Sequence, residues 1–412
     1  MQQVWLDLAD MTATAPLATL FCALAIAASL YTLLSVASLR RFARCRAPVK
    51  PWKSPGVSVL KPLYGAEEGL YENLLSFCRQ GYSGPVQILF GVHEPDDPAA
   101  AVARRIVAMA RAGKIEGAPA KLSVELVIDP AQHGANGKVS NLINLSGRVE
   151  HELVVLADSD IKVEPDYLCR LAAALQRPGV GLVTCLYRGM PLAGLWAKLG
   201  AMGVDYGFLP NVVTGVTLNM ARPCVGATIA LRRITLEAIG GFAAIKDQLA
   251  DDYALGEEVR KRGLNVVLAD FVVAHAHSER DVAEVWRRDM RWARTIRALD
   301  PLGYLGLAVS FPVAWALLAL LASGFAPAAT ILTATALLCR MILQDEVDQR
   351  FPGYRHALWL GPVRDLFSFV IFVGSFIPGQ IHWRGRDYAL GEHGIMAPVG
   401  VEPSGEAEAE VA

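Results

Sequence analysis

Asp158 and Asp160 stand one residue apart at the end of an apolar run, Val154-Val-Leu-Ala-Asp-Ser-Asp160. An unbroken Val/Leu run of this length reads as a strand buried on both faces. In an open α/β sheet, ligands gather at the carboxyl ends of such strands. Two carboxylates placed there can share a hard divalent cation, Mg²⁺ or Mn²⁺, whose remaining positions go to substrate phosphates. Asp and Ser also favour turns and helix caps, so the pair alone leaves both readings open.

Other chemistry-bearing residues follow the same pattern of strand ends and helix starts. Lys61 closes the first strand-like run, and Glu94, Asp96 and Asp97 close the second. A carboxylate accepts two hydrogen bonds in plane, which suits a nucleobase or ribose as well as a solvated turn. Lys138 lies in a Gly/Asn-rich loop, as a phosphate contact or as a surface lysine. Asp251 and Asp252 precede a helical pattern; the helix dipole favours them there, and either can serve as a general base if it stays ionised beside a hydroxyl. Arg288, Arg291 and Trp292 fall at i, i+3 and i+4 on one helix face. Guanidinium groups there suit a pyrophosphate, and the indole suits a sugar or lipid wall. With Trp286, Arg287, Arg294 and Arg297 beside them, the same helix also reads as an interfacial one.

The elements that must position these groups alternate. Strand-like runs at Val57–Leu60, Val86–Val92, Ser123–Ile128, Leu153–Ala157, Gly181–Leu186 and Asn265–Leu268 are interleaved with helical patterns at Gly69–Arg79, Ala99–Ala112 and Tyr167–Leu175. This order predicts an α/β domain with a mostly parallel sheet. Gly134 to Ser140 lacks the spacing of a phosphate-binding Walker loop, and no Gly-x-Gly-x-x-Gly follows the first strand, which argues against a dinucleotide oxidoreductase.

Of the 412 residues, 53% are hydrophobic, high for a soluble chain. The net charge of −1 gives no overall attraction to nucleic acid. The seven cysteines include no Cys-x-x-Cys pair, which fits a reducing compartment. Leu17–Leu39 carries no charge and is long enough to span a bilayer. Asp7 and Asp10 before it, with no clean cleavage site after it, argue against a removable signal peptide. Arg40, Arg41, Arg44, Arg46, Lys50 and Lys53 follow it and place the next domain in the cytoplasm. Pro301–Cys339 is also uncharged and predicts two helices joined by a turn at Ser323–Pro327. Leu366–Ile381 is short, either a tilted span or a re-entrant segment. Trp383–Tyr388 reads as an interfacial anchor. The expected division is therefore 1–53, a membrane helix and basic linker; 54–300, a cytosolic catalytic domain; 301–390, a membrane region; and 391–412, a disordered tail.

Taken together and in order, Glu94 with Asp96 and Asp97, Asp158-Ser-Asp160, Asp251-Asp252 and Arg288-x-x-Arg291-Trp292 resemble the D, D, D, (Q/R)xxRW series of inverting family 2-like glycosyltransferases. Ser58-Val-Leu-Lys-Pro62, Gly91–Pro98, Lys138-Val-Ser-Asn141 and Gly179–Tyr187 resemble glycosyltransferase family 21, which holds the ceramide glucosyltransferases, with hopanoid-biosynthesis-associated enzymes close by. Gly181–Arg188 and Gly240–Tyr253 resemble the hopanoid group. The resemblance implies a GT-A fold flanked by transmembrane helices, in a bacterial inner membrane with its catalytic domain cytoplasmic. It implies a UDP-sugar donor, glucose or N-acetylglucosamine, and a lipid hydroxyl acceptor on ceramide or a hopanoid polyol. Asp158 and Asp160 would then hold a divalent metal, Asp252 would be the base with Asp251 beside it, and Arg288, Arg291 and Trp292 would face the diphosphate and acceptor. Glu94 stands where many relatives have Asp, so the nucleobase contact stays open among Glu94, Asp96 and Asp97. A processive polysaccharide synthase shares these residues but needs a longer membrane channel, and a silent membrane scaffold would not need the acidic set.

Overall fold

A computed structural model of the chain describes residues 2–44, 53–379, 381–383, 386–390 and 395–398. Arg46 and Lys50 of the basic linker, Arg384 and Gly385 of the expected anchor, and residues 399–412 of the expected tail lie outside the described residues.

The first helix, α1 (Gln2–Arg44), contains a stretch from Pro16 to Arg44 long and apolar enough to cross a membrane. Leu17, Leu20, Ile26 and Leu30 on it are exposed, whereas Ala25, Ala28 and Leu39 are buried. One side of the helix therefore packs on protein and the other is left apolar and open.

Strand and helix then alternate as β1 (Val57–Pro62), α2 (Leu70–Cys78), β2 (Val86–Val92), α3 (Pro98–Arg111), β3 (Leu122–Ile128), α4 (Gly137–Ser146) and β4 (Leu153–Leu156). These four strands pair in parallel in the order β3-β2-β1-β4. Every residue of β1, β2 and β4 is buried, the burial expected of strands covered on both faces. Asp97 caps α3, with Pro98 at its first position, and Asn136 caps α4 by accepting from the amides of Lys138 and Val139.

After β4 come β5 (Ile161–Lys162), α5 (Tyr167–Leu175), β6 (Val180–Pro191), α6 (Leu195–Gly203), a π-helical turn (Val204–Phe208), α7 (Leu209–Thr217), β7 (Ile229–Arg232), α8 (Arg233–Ala238), α9 (Asp251–Lys261) and β8 (Asn265–His277). The eight strands form one sheet, β3-β2-β1-β4-β7-β6-β8-β5, in which β7 runs antiparallel to both neighbours and β5 antiparallel to β8. Strands β6 and β8 pair in parallel, with register shifts at Val180/Leu182 and Thr184/Leu186.

The chain continues through α10 (Val282–Leu299), α11 (Pro301–Gly306), α12 (Pro312–Ala322), α13 (Pro327–Arg350) and α14 (Leu360–Gly374), and ends in a three-stranded antiparallel sheet of β9 (Ile381–Trp383), β10 (Arg386–Leu390) and β11 (Met396–Pro398). The expected turn is present between α12 and α13. The helix before it is not the simple one expected: α11 and α12 bend by 66° at the break before Pro312, which has no amide hydrogen to continue the ladder. Helix α13 runs well past Cys339 because Gln344, Glu346 and Val347 are buried. Helix α14 starts earlier than expected and holds 15 residues, a length of about 22 Å against the roughly 30 Å of a hydrocarbon core. Within the expected tail, 391–394 lie outside the described residues and Met396–Pro398 form β11, which pairs with β10.

Helix α1 and the sheet share one apolar core. Val36 and Leu39 of α1, Leu199 and Met202 of α6, Leu209 of α7 and Val347 of α13 pack with Leu186 of β6. The apolar helices are thereby fastened directly to a central strand.

Candidate active site

Strand β4 delivers Asp158 and Asp160 to the carboxyl edge of the sheet, and the start of α9 delivers Asp251 and Asp252 to the same place. Lys138, at the start of α4, joins the two sets: its Nζ lies 2.8 Å from Asp158 Oδ1 and 3.0 Å from Asp251 Oδ2. Asp252 Oδ1 accepts from the amide of Tyr253 at 2.8 Å. Its Oδ2 faces Gly226, where an added Cβ would stand 3.2 Å from Asp252 Oδ2 and 3.5 Å from Asp158 Oδ2. Gly226 thus brings a bare backbone between two carboxylates.

The charges do not cancel. Burial raises the Asp158 carboxyl, with Asp160 and Asp251 adding to the rise against Lys138. Burial and then Asp251 push Asp252 up to about 6, opposed by Lys138 and the Tyr253 amide. Asp160 is lowered: burial acts upward, and His275 with the two lysines outweighs it. Asp160 Oδ1 is buried without a hydrogen-bond partner among the described residues. An ionised oxygen left bare beside three further carboxylates calls for a cation. No three His, Cys, Asp or Glu side chains among the described residues form a metal-ligand group by themselves. Asp158 and Asp160 suit a cation that takes one or two carboxylates from the protein and the rest of its shell from phosphate and water.

Lys61, which closes the first strand, is wholly buried on β1. Its Nζ donates to the Asp158 carbonyl and lies over the Phe77 ring. Burial lowers its pKa to about 7 against the pull of Asp160 and Asp158. It acts on the site by fixing the Asp158 backbone. Asp97 is likewise engaged, accepting from the amides of Gly65 and Ala99 at 3.0 and 2.8 Å. Glu94 and Asp96 remain exposed. The His93 ring ties their loop to the carbonyls of Asp129 and Gly137.

Helix α10 reaches the site through histidines at the end of β8. His275 Nε2 is 3.1 Å from Asp160 Oδ2, and His275 Nδ1 is 2.9 Å from His277 Nε2. Arg288 Nη1 meets His277 Nδ1 at 2.6 Å and pairs with Glu279, while its Nη2 donates to Asp289 Oδ1 at 2.8 Å. Asp289 Oδ2 in turn accepts from Arg364 Nη2 of α14 at 2.6 Å. A continuous polar chain therefore runs from Asp160 to a C-terminal helix. His277 sits in it buried and is held neutral, first by burial and then by Arg288. The Arg288 guanidinium, expected to face a diphosphate, is occupied by carboxylates. Trp292 has its ring 6.1 Å from His275 and lies against Arg288. Arg291 is half-buried on the same helix.

The family model for glycosyl transferase family 21 matches residues 18–396. The chain belongs to that family. As a family 21 chain it has the GT-A class of fold that the resemblance implied, an α/β domain with apolar helices. Two curated relatives are ceramide glucosyltransferases 1 and 3 of Caenorhabditis elegans, each 24% identical over 60% of this chain. Those matches cover 51% and 52% of the relatives, so the chain spans about half the length of the curated proteins it matches. Among solved structures, the mannosyltransferase PcManGT from Pyrobaculum calidifontis, in complex with GDP-Man and Mn²⁺, is 20% identical with a TM-score of 0.49, covering 86% of this chain and 98% of that one. TarS of S. aureus, in complex with UDP-GlcNAc, is 15% identical with a TM-score of 0.37, covering 84% and 100%.

Several residues of this site escaped sequence reasoning. Tyr187 of β6 stacks on Phe208 and lies 5.1 Å from His275, ring to ring. Burial raises its hydroxyl pKa, and Asp252, Asp160 and Asp158 add to the rise. His275 and His277, which the sequence offers as side chains able to reach a metal, share one face of β8 by its period of two, a signal that Glu279 continues just beyond the strand. Arg364 carried none, being 75 residues from the Asp289 it binds.

Proposed function

We propose that this family 21 chain is an inverting lipid glycosyltransferase, moving a hexose from a UDP-sugar to a membrane-lipid hydroxyl. The observation that carries this reading is the convergence of Asp158, Asp160, Asp251 and Asp252 about Lys138 and Gly226, beside a helix, α10, that leads directly into apolar helices. The similarity to ceramide glucosyltransferases supports a lipid acceptor; the proposal takes that acceptor to be ceramide or a hopanoid polyol and the sugar to be glucose or N-acetylglucosamine. The basic flank of α1 supports a cytoplasmic catalytic domain.

In this mechanism Asp252 accepts the proton of the lipid hydroxyl as its oxygen attacks the anomeric carbon and the bond to the diphosphate breaks. Glu94 or Asp96, exposed at the end of β2, contacts the nucleobase or ribose. Asp158 and Asp160 would hold a divalent cation, which when bound would offset charge on the departing diphosphate. Lys138 keeps Asp158 and Asp251 in register, and Lys61 fixes the Asp158 carbonyl. Arg288 or Arg291 would meet the diphosphate; in the structure Arg288 pairs with Glu279 and Asp289 and lies against the Trp292 ring.

Two results test this. Comparing lipids of cells with and without the gene by mass spectrometry should reveal a hexosylated lipid only where the gene is present; identical profiles contradict the reading. Chelation with EDTA should abolish transfer by washed membranes and Mn²⁺ or Mg²⁺ should restore it, while Asp160→Asn should stay low at any metal concentration. Full activity in EDTA would remove the metal role.

A further inference from the structure

Helix α14 directs two kinds of side chain to opposite sides. Val363, Leu366, Val370 and Val373 are exposed in one stripe, and Arg364, Asp365, Ile371 and Phe372 are buried. The Arg364 side chain is 8% exposed. Its Nη2 is bound to Asp289, but Nε and Nη1 are buried without a hydrogen-bond partner among the described residues. Bare N–H groups on a buried guanidinium are costly and mark a place for acceptor oxygens.

Space for such a partner is built in. Val204, Phe208, Arg288, Trp292, Arg364 and Ser368 line a cavity of about 130 Å³, room for several waters or a small polar group. Helix α6 borders it with two glycines. A Cβ at Gly203 would collide with the Arg364 guanidinium, and one at Gly200 would stand 2.8 Å from Arg288 Nη1. Trp292, which lines this cavity, has its ring 6.1 Å from that of His275, whose Nε2 meets Asp160. The cavity therefore adjoins the carboxylate cleft from the side of the C-terminal helices.

Charge decides what kind of ligand it suits. The two guanidinium groups face Asp289 and Glu279, one carboxylate for each. No positive charge is left over for a phosphate, whereas neutral oxygens meet the two bare donors. We propose that this cavity holds the neutral, oxygen-bearing head group of the lipid acceptor, with Arg364 Nε and Nη1 donating to its hydroxyl or amide oxygens. The proposal rests on the lipid-acceptor reading above. Phe208, Val204 and Ile371 form the apolar part of the wall.

The test uses the full chain in detergent micelles with UDP-glucose or UDP-N-acetylglucosamine, and short-chain ceramide or a hopanoid polyol as acceptor. Arg364→Gln removes the Nε and Nη1 donors and leaves only a shorter amide; Ser368→Leu fills the space and keeps every charge, so that loss of folding in the first variant does not decide the matter. Both should raise the KM for lipid about tenfold or more and leave the KM for nucleotide sugar within about twofold. Lipid KM values within about twofold of wild type in both variants overturn the proposal. So does inorganic phosphate that competes with the lipid in wild type and not in Arg364→Gln, which makes the cavity an anion site. A wild type that glycosylates neither lipid removes the acceptor reading and this assignment with it, a failure distinguishable from unchanged variants of an active enzyme.

Discussion

Replacing Asp252 with Asn is expected to lower kcat by roughly 10²–10⁴, the usual worth of a positioned base, while UDP-sugar affinity is kept. The substitution preserves shape and removes the group that takes the hydroxyl proton. Burial and the neighbouring Asp251 push the Asp252 carboxyl up to about 6. A base works in its ionised form, so wild-type kcat/KM should rise through about pH 6 and level off above it, and below that point should fall about tenfold per pH unit. The Asn variant should lose this acid limb together with the rate. Lys138, Asp158 and Asp251 face the same carboxyl, so Asp251→Asn should move the limb to lower pH, with one raising charge removed. Near-normal turnover in Asp252→Asn would exclude Asp252 as the base.

The second large effect belongs to Arg188, whose side chain is 2% exposed. Its guanidinium lies 3.0 Å from both Asp205 and Asp348, and donates to the carbonyls of Phe351 at 2.7 Å and Tyr354 at 2.9 Å. Asp205 also accepts from the amide of Gly189 at 2.7 Å and meets His356 Nε2 at 3.2 Å. Tyr206 donates to Asp348 at 2.9 Å. One buried arginine thus joins β6, the π-helical turn and the end of α13. Arg188→Met strands two carboxylates, a loss of about 3–5 kcal/mol, read as a lower melting midpoint of the detergent-solubilised protein and faster proteolysis between α13 and α14. Combining it with Asp205→Asn and Asp348→Asn should recover part of the loss, because the uncompensated charges go with the arginine. An unchanged midpoint in Arg188→Met would mean that this network does not hold α13 and the chain after it to the sheet.

Legibility in the sequence followed the range of the forces involved. Strand β2 and helix α5 stand at their expected bounds because each is set by its own pattern: a run buried on both faces, and an apolar helical stripe. Strands β5 and β7 were not visible, since two and four residues gain strand structure only by pairing with β8, β4 and β6. The full lengths of β6 and β8 depend on bulged pairing with each other. Asp158 and Asp160 were legible at the end of a clear apolar run. That Lys138 would bridge Asp158 to Asp251, and that Arg288 would be taken up by Glu279, were not, because those partners meet only through tertiary packing.

Transfer of a sugar from a UDP-sugar to a lipid can be followed directly with labelled donor. Membranes carrying the full chain, incubated with radiolabelled UDP-glucose or UDP-N-acetylglucosamine and Mn²⁺ or Mg²⁺, should place label in an organic-extractable glycolipid, and membranes carrying Asp252→Asn should not. Label in an insoluble polymer would indicate a processive synthase, and no labelled product from either donor would contradict the account.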